Sequence, residues 1–255
     1  MNASPPPKLA LVTGGSRRLG AVITRQLAQD GYDIAITSSN PDARLEPELA
    51  ALLKKQKRKW KLFTANLSDY AAAPDVIGKV KDHFGYGPGL LVNNAAIFGQ
   101  DQWHDMDASA LEAHFGLNVF APLLLSAAMV KAADTQTPAI IHILDQRIRN
   151  PHGDQLSYSL SKQALAASVR NMAAAFGPRA RVNGVAPGLV IKTDEYDRAQ
   201  MKKLDAMTPL GKLPNPQSVA DAVSYLAGAD DVTGQIIYAD GGANLRSYDR
   251  DFLYL

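Results

Sequence analysis

Tyr158 and Lys162 stand four residues apart in the segment Tyr158-Ser-Leu-Ser-Lys162, and Asp145 lies thirteen residues upstream of the tyrosine at the end of an apolar run. Residues four apart share a helix face, so Lys162 can hold its charge near the Tyr158 hydroxyl. A neighbouring cation favours phenolate and should lower the tyrosine pKa from its usual value of about 10. A tyrosine tuned in that way can pass a proton near neutral pH. The spacing alone also decorates many helix surfaces, so the rest of the chain decides what the pair means.

Elements able to position such a pair alternate along the sequence. Short apolar runs that suit strands are Lys8–Val12, Asp33–Ser38, Lys61–Ala65, Leu90–Val92, Ala139–Leu144, Arg181–Val185 and Gln235–Tyr238. Helical patterns lie between them at Leu19–Gln29, Ser68–Phe84, Ser109–Ala132, Gln155–Phe176 and Pro216–Ala227. Seven strands separated by helices, with little hairpin chemistry, predict an α/β fold: one parallel, doubly wound sheet covered on both faces. The stretch 189–214 is the longest irregular segment, which in a compact domain suits a lid.

Composition narrows the class. The chain has 255 residues, 46% of them hydrophobic, with a formal net charge of +2 and no cysteine. That supports one large core and excludes disulfides, thiolate metal sites and cysteine nucleophiles. The charge is dispersed, so neither nucleic acid nor a membrane surface is expected as a partner. The basic run Lys54-Lys55-Gln-Lys57-Arg58-Lys59 reads as a solvated helix end, where cations suit the dipole. No basic-then-apolar leader opens the sequence, and no apolar run approaches the roughly 20 residues that span a bilayer. A cytoplasmic protein with a flexible tail at residues 1–7 and one domain over 8–255 is expected. The histidines lack metal-ligand spacing with carboxylates, so no metal is expected.

The first strand runs into Thr13-Gly14-Gly15-Ser16-Arg17-Arg18-Leu19-Gly20. Glycines at a strand–helix junction let the backbone turn sharply and approach a pyrophosphate that rests on the helix N-terminus; a bare tight turn is the structural alternative. At the end of the second strand the sequence Ile36-Thr37-Ser38-Ser39-Asn40 offers no carboxylate for an adenosine ribose, whereas Arg17 and Arg18 sit in the glycine loop. Hydroxyls and cations suit a 2′-phosphate, which predicts NADPH over NADH.

These residues resemble the short-chain dehydrogenase/reductase family, over nearly the whole chain from Leu9 to about Leu245. The markers stand in family order: the Thr13–Gly20 loop, Asn66-Leu67, Asn93-Asn94-Ala95, Asn118, Tyr158 with Lys162, Pro187-Gly188, and Asp240-Gly241-Gly242. Two departures sharpen the resemblance. Arg18 stands where the family usually has glycine, and Asp145 stands where it usually has the catalytic serine. Together with Phe98 after the Asn-Asn-Ala turn and the segment 183–189, they resemble the pteridine reductase branch, which includes dihydromonapterin and dihydrofolate reductases.

The resemblance implies a Rossmann-type domain with catalytic residues Tyr158, Lys162, Asp145 and Asn118. Tyr158 would donate a proton, Lys162 would tune it and hold the nicotinamide ribose, and Asn118 would position a water; a core amide is the structural alternative for Asn118. Gly14, Ser16, Arg17, Arg18, Leu19, Gly20, Ser38, Ser39, Asn66, Leu67, Asn94, Ala95, Pro187 and Gly188 would join Tyr158 and Lys162 around the cofactor. Arg18, Phe98, Asp145, Tyr158 and Leu189 would meet the substrate. Thr193 lies five residues after Gly188, one more than the family spacing to a cofactor-binding threonine.

At position 145 an aspartate and a serine would do different chemistry. A serine there would donate to a ketone oxygen, whereas an ionised aspartate only accepts. It would repel a carbonyl oxygen, favour a ring edge bearing N–H groups, as in a pterin, and push the Tyr158 pKa upward against Lys162. A protonated Asp145 would instead relay a proton directly; a strand-end aspartate capping a turn is the structural alternative. Phe98 would stack on a flat heterocycle or pack in the core, and His142 reads as a satisfied strand histidine. Leu189, Tyr196, Met201, Leu204 and Met207 would close over the ring from the lid. The expected function is NADPH-dependent reduction of a pterin- or dihydrofolate-like C=N bond; a generic carbonyl reductase or a non-catalytic nucleotide-binding protein are the alternatives. The family resemblance also implies a homotetramer, for which the C-terminal Phe252-Leu253-Tyr254-Leu255 would serve unless it packs on its own subunit.

Overall fold

In the computed structural model, which describes residues 8–133, 137–191 and 196–255, each apolar run becomes a strand. These are β1 (Leu9–Thr13), β2 (Asp33–Ser38), β3 (Trp60–Thr64), β4 (Leu90–Asn93), β5 (Ala139–Ile143), β6 (Arg181–Pro187) and β7 (Ile236–Ala239). They form one seven-stranded sheet in the order β3-β2-β1-β4-β5-β6-β7, with every neighbouring pair parallel. The chain order reverses between β1 and β4, and the carboxyl ends of strands at such a reversal leave a crevice that binds ligands in open α/β sheets. The tail at 1–7, Thr193 and part of the lid segment lie outside the described residues.

Helices cover both faces. On one side, Ile23 and Leu27 of α1 (Arg18–Gln29), Leu49 and Leu53 of α2 (Pro47–Lys55) and Val219, Val223 and Leu226 of α8 (Pro216–Gly228) pack against Ala10, Val12, Ile34, Leu90 and Ile141. On the other, Val76, Ile77 and Val80 of α3 (Asp75–Phe84), Leu125 and Met129 of α5 (Ala121–Ala132) and Met172 of α6 (Leu156–Phe176) pack against Leu9, Leu11, Leu91, Ile140 and Val182. Successive β1 residues thus feed opposite cores, as the two-residue pleat requires. Burial on both faces is why these strands read as unbroken apolar runs.

Three elements differ from the sequence expectation. The helix expected over Ser68–Phe84 begins only at Asp75, because Asn66 and Asp69 accept local backbone bonds from Ser68 and Ala72 and hold the chain in turns. The helix expected over Ser109–Ala132 is α4 (Ala108–Phe115), a π-helical turn at Gly116–Phe120, and α5. Over Ala108–Ala132 this path is long and apolar enough by length and composition to cross a membrane, contrary to the expectation; 56% of that apolar window is buried, in the packing just described. The segment at 189–214 is not wholly irregular: α7 (Arg198–Met207) starts at Asp197, whose side chain accepts from Gln200 N at 2.7 Å. Leu204 of α7 is 1% exposed and packs with Ala243 and Phe252, so it anchors the segment rather than covering a ligand. Phe252 and Leu255 of the C-terminal segment pack in the same cluster.

Candidate active site

The crevice is built where β1 and β4 end. Thr13 Oγ1 accepts from the backbone N–H groups of Asn94 and Ala95, each at 2.9 Å, and Asn94 Nδ2 donates to Thr13 O at 2.9 Å. These bonds fix the two strand ends side by side. The glycine loop crosses above them. Gly14 has φ +63, and a Cβ on Gly20 would stand 2.2 Å from Gly14 O and 2.8 Å from Asn94 Nδ2. Only glycine at position 20 lets loop and helix start approach this closely, which is the cradle a dinucleotide pyrophosphate needs.

A cavity of about 660 Å³ runs along these strand ends. At one end it is lined by the glycine loop from Gly14 through Ser16–Gly20 and by Ser38 and Ser39 beyond β2. Asn66 and Leu67 beyond the edge strand β3, Asn94 and Ala95 beyond β4, and Pro187, Gly188 and Leu189 at the end of β6 line it as well. Phe98, Asp145, Tyr158 and Lys162 close the opposite end. The residues expected around the cofactor and substrate therefore converge on one cavity, whereas Met201, Leu204 and Met207 of the expected lid do not line it. Asn118 does not line it either: it is 1% exposed, in the π-helical turn. Its amide accepts from Ile97 N at 3.0 Å and donates to Ile97 O at 3.1 Å and Ser161 Oγ at 3.0 Å. The extra residue of a π turn sets this amide between the Asn-Asn-Ala strand end and α6. Arg18 enters the cavity lining with φ +51, its backbone N donating to Glu46 Oε1 at 2.5 Å.

At the reactive end, Tyr158 Oη donates to Asp145 Oδ2 at 2.9 Å. Asp145 lies two residues beyond β5 and caps the short turn that follows, accepting from Arg147 N at 2.9 Å. The tyrosine is 8% exposed. Burial first, and the Asp145 charge second, push its pKa well above the ordinary value of 10, against the lowering influence of Arg147. The expectation that Lys162 lowers the Tyr158 pKa is thereby corrected. The Lys162 ammonium lies 5.8 Å from the phenol ring centroid and donates to Ile143 O at 2.8 Å, while the opposing effect of Asp145 acts as expected. Burial lowers the Lys162 pKa to about 8, partly offset by Asp145.

Phe98 is 52% exposed and meets Tyr158 edge-on, centroids 4.8 Å apart; core packing is not its role. His142 is fully buried, with Nδ1 3.1 Å from Asn93 Nδ2 and no hydrogen-bond partner for Nε2 among the described residues. It is therefore less satisfied than expected, and burial, then Lys162, lowers its pKa to about 3. Among the described residues, no three His, Asp or Glu side chains are placed to hold a metal ion.

Sequence reasoning missed Arg147 and Asp251. Arg147 is 5% exposed; its Nε lies 3.3 Å from Asp145 Oδ1, and its Nη2 donates to Asp251 Oδ2 at 2.6 Å. Burial would lower its pKa, but Asp145, Tyr158 and Asp251 outweigh that and hold it above its usual value. The only signal for Arg147 was its place two residues after Asp145; Asp251, far along the chain, gave none.

A parallel sheet with this reversal, a glycine cradle and a buried Tyr–Lys pair at the strand ends define a nucleotide-dependent oxidoreductase of the short-chain type. The chain belongs to the short-chain dehydrogenase/reductase family: a family profile described as enoyl-(acyl carrier protein) reductase matches residues 15–244. An oxidoreductase of unassigned substrate from Bacillus subtilis is 30% identical over 92% of this chain and 96% of its own. A 3α-hydroxysteroid dehydrogenase from Mediterraneibacter gnavus is 31% identical, over 92% and 96%. The crystal structure of FolM alternative dihydrofolate reductase 1 from Brucella canis, complexed with NADP, superposes with a TM-score of 0.87 at 29% identity, covering 96% of both chains.

Proposed function

We propose that this protein is an NADPH-dependent reductase of pterin- or dihydrofolate-like substrates, acting at a ring C=N bond. The observation that carries the proposal is the hydrogen bond from Tyr158 to Asp145 at the cavity end. A carboxylate beside the proton donor opposes the negative charge that gathers on a ketone oxygen during reduction, whereas a ring nitrogen that ends the reaction as N–H places no such charge there. The half-exposed Phe98 ring offers a face for a flat heterocycle. The likeness to the Brucella dihydrofolate reductase supports the same substrate class.

The cavity fits the cofactor by its chemistry. The glycine cradle suits the pyrophosphate, and Ser38, Ser39, Arg17 and Arg18 suit a 2′-phosphate, with no carboxylate beside them in the lining among the described residues. When bound, the reduced nicotinamide supplies the hydride. Tyr158 holds the proton: its high pKa keeps the phenol protonated, and a substrate nitrogen at hydrogen-bond distance replaces Asp145 as acceptor of its single O–H. A phenolate left beside Asp145 is strongly disfavoured, so Tyr158 regains a proton readily. Lys162, with a pKa of about 8, is the better acid of the two, and its role in this reading is to resupply that proton.

The test is an NADPH oxidation assay with a panel of dihydropterins, dihydrofolate and ketones. Turnover of the pterin or folate members at a kcat/KM about 100-fold above any ketone is expected, a margin that a polar mismatch can supply. Turnover of ketones alone would assign the carbonyl reductase activity for which the hydroxysteroid dehydrogenase likeness speaks. We further place the protein in the cytoplasm as a homotetramer. Phe120 and Leu124 on one long helical segment and Leu160 on α6 are each more than a third exposed, which supports association through these helices. A monomer mass by light scattering would refute that assembly.

A further inference from the structure

Arg147 touches four parts of the site at once. Its backbone N and Nε bond Asp145 Oδ1 at 2.9 and 3.3 Å. Its Nη1 donates to Gln155 Oε1 at 2.8 Å, and its Nη2 to Asp251 Oδ2 at 2.6 Å. The guanidinium lies 5.2 Å from the Tyr158 ring centroid and 5.7 Å from that of Phe98. A planar fork satisfies such divergent acceptors and stacks on rings, whereas an ammonium cannot do both.

Each partner is itself held. Gln155 precedes α6, is fully buried, and adopts φ +49. A non-glycine residue there is strained and persists only where its surroundings impose it. Asp251 is 7% exposed, its backbone N donates to Asp154 Oδ2 at 2.8 Å, and its own Oδ1 accepts from Leu253 N at 2.9 Å. Asp251, Phe252 and Leu253 line the cavity. One buried cation thus joins the end of β5, the start of α6 and the C-terminal segment.

We infer that Arg147 is a positioning residue which, clasped by Asp251 from the C-terminal segment, sets the Asp145–Tyr158 pair and the entry to α6 in the geometry that proton transfer requires. It rests on Tyr158 as proton donor, and not on the substrate being a pterin. The arrangement fixes Asp145 in two ways. Oδ1 is committed to Arg147, so only Oδ2 faces the phenol. The Arg147 charge adds to that of Lys162 in offsetting the partly buried Asp145 carboxylate beside the phenol. The clasp also makes the C-terminal segment a wall of the reactive end.

The test uses the full chain with Arg147→Gln, Arg147→Lys, Asp251→Asn and the double variant Arg147→Gln/Asp251→Asn. Crystal structures, NADPH affinity by fluorescence and steady-state kinetics are measured for each. Misplacing a proton donor by about 1 Å costs on the order of 100-fold, so Arg147→Gln should lose about that in kcat. Its NADPH Kd should stay within about twofold, since the glycine cradle is distant from the change. Arg147→Lys should recover part of the loss, because charge returns without the fork. The double variant should be no worse than Arg147→Gln, because both changes break one bond. The Arg147→Gln or Asp251→Asn crystal structure should show the Tyr158–Asp145 bond broken or Gln155 out of its left-handed conformation. Retention of both in each variant overturns the inference whether or not a substrate is known. So does a kcat within about twofold of wild type, a parallel loss of NADPH affinity, or losses that multiply in the double variant. Should Arg147→Gln fail to fold, Asp251→Asn and Arg147→Lys carry the same readouts. Ketone-only turnover would sink the pterin assignment and leave this test intact.

Discussion

Asp145 and Lys162 are the charged side chains through which we propose that Tyr158 gives up and regains its proton. Asp145 accepts the phenolic hydrogen and keeps the proton in place, while Lys162 holds an ammonium whose pKa burial brings to about 8. Replacing Asp145 by serine exchanges an acceptor for a donor at the reactive end. Asp145→Ser should raise kcat/KM for ketones relative to pterins by about 100-fold, the size of discrimination a polar mismatch supplies. An unchanged ratio in the substrate panel would remove Asp145 from specificity. The second consequence concerns pH. Lys162 is charged below its folded pKa and neutral above it, so the charged form declines as pH rises through about 8. The pH profile of kcat/KM reports the free enzyme; with NADPH varied it should fall above about pH 8. Tyr158, held well above 10, cannot account for that limb. A profile flat to pH 10 would show that the Lys162 charge does not matter to the step.

The elements that carry these residues were legible to different degrees. A sheet covered on both faces makes its strands continuous apolar runs, so all seven strands could be read with shifts of one or two residues at their ends. What breaks a helix was not legible when the cause lies elsewhere in the chain. The π-helical turn at Gly116–Phe120 goes with the bonds of Asn118 to Ile97 and Ser161, and no local pattern announces those partners. Helix α7 is polar along most of its length and is held by one buried leucine against the C-terminal segment, which hid it inside an apparent loop. β5 carries its own testable cost. His142 is buried neutral, with a pKa near 3 against 6.5 for the unfolded chain. Its folded pKa is depressed, so the unfolded state takes up the proton first. Stability present above pH 6.5 is then lost at about 1.4 kcal/mol per pH unit as pH falls toward 3. Urea unfolding at pH 6.5 and 4.5 should show wild type losing roughly 2–3 kcal/mol more than His142→Leu between the two pH values. Equal losses would mean that His142 titrates normally in the fold.

Across the molecule, the reversal of strand order between β1 and β4 places the nucleotide cradle and the reactive end in one crevice. The cradle and the Tyr–Lys pair were legible because each lies within a short stretch of chain. The Arg147–Asp251 clasp was not, because its partners are 104 residues apart in sequence and meet only once the C-terminal segment has packed on α7. We propose that the adenosine end of the cofactor lies at the tip of β2, where Ser38 and Ser39 line the same cavity as Arg17 and Arg18. A carboxylate placed there would accept hydrogen bonds from a ribose and repel a 2′-phosphate. Wild type should therefore prefer NADPH to NADH, and Ser39→Asp should reduce the ratio of the two kcat/KM values by about 100-fold or more, since like charges this close cost several kcal/mol. The loss should fall on NADPH affinity, leaving kcat at saturating cofactor near wild type, because the change lies at the opposite end of the cavity from Tyr158. Comparable kcat/KM for both cofactors in the wild type, or a Ser39→Asp variant with an unaltered ratio, would mean that the 2′-phosphate is not bound at this strand end.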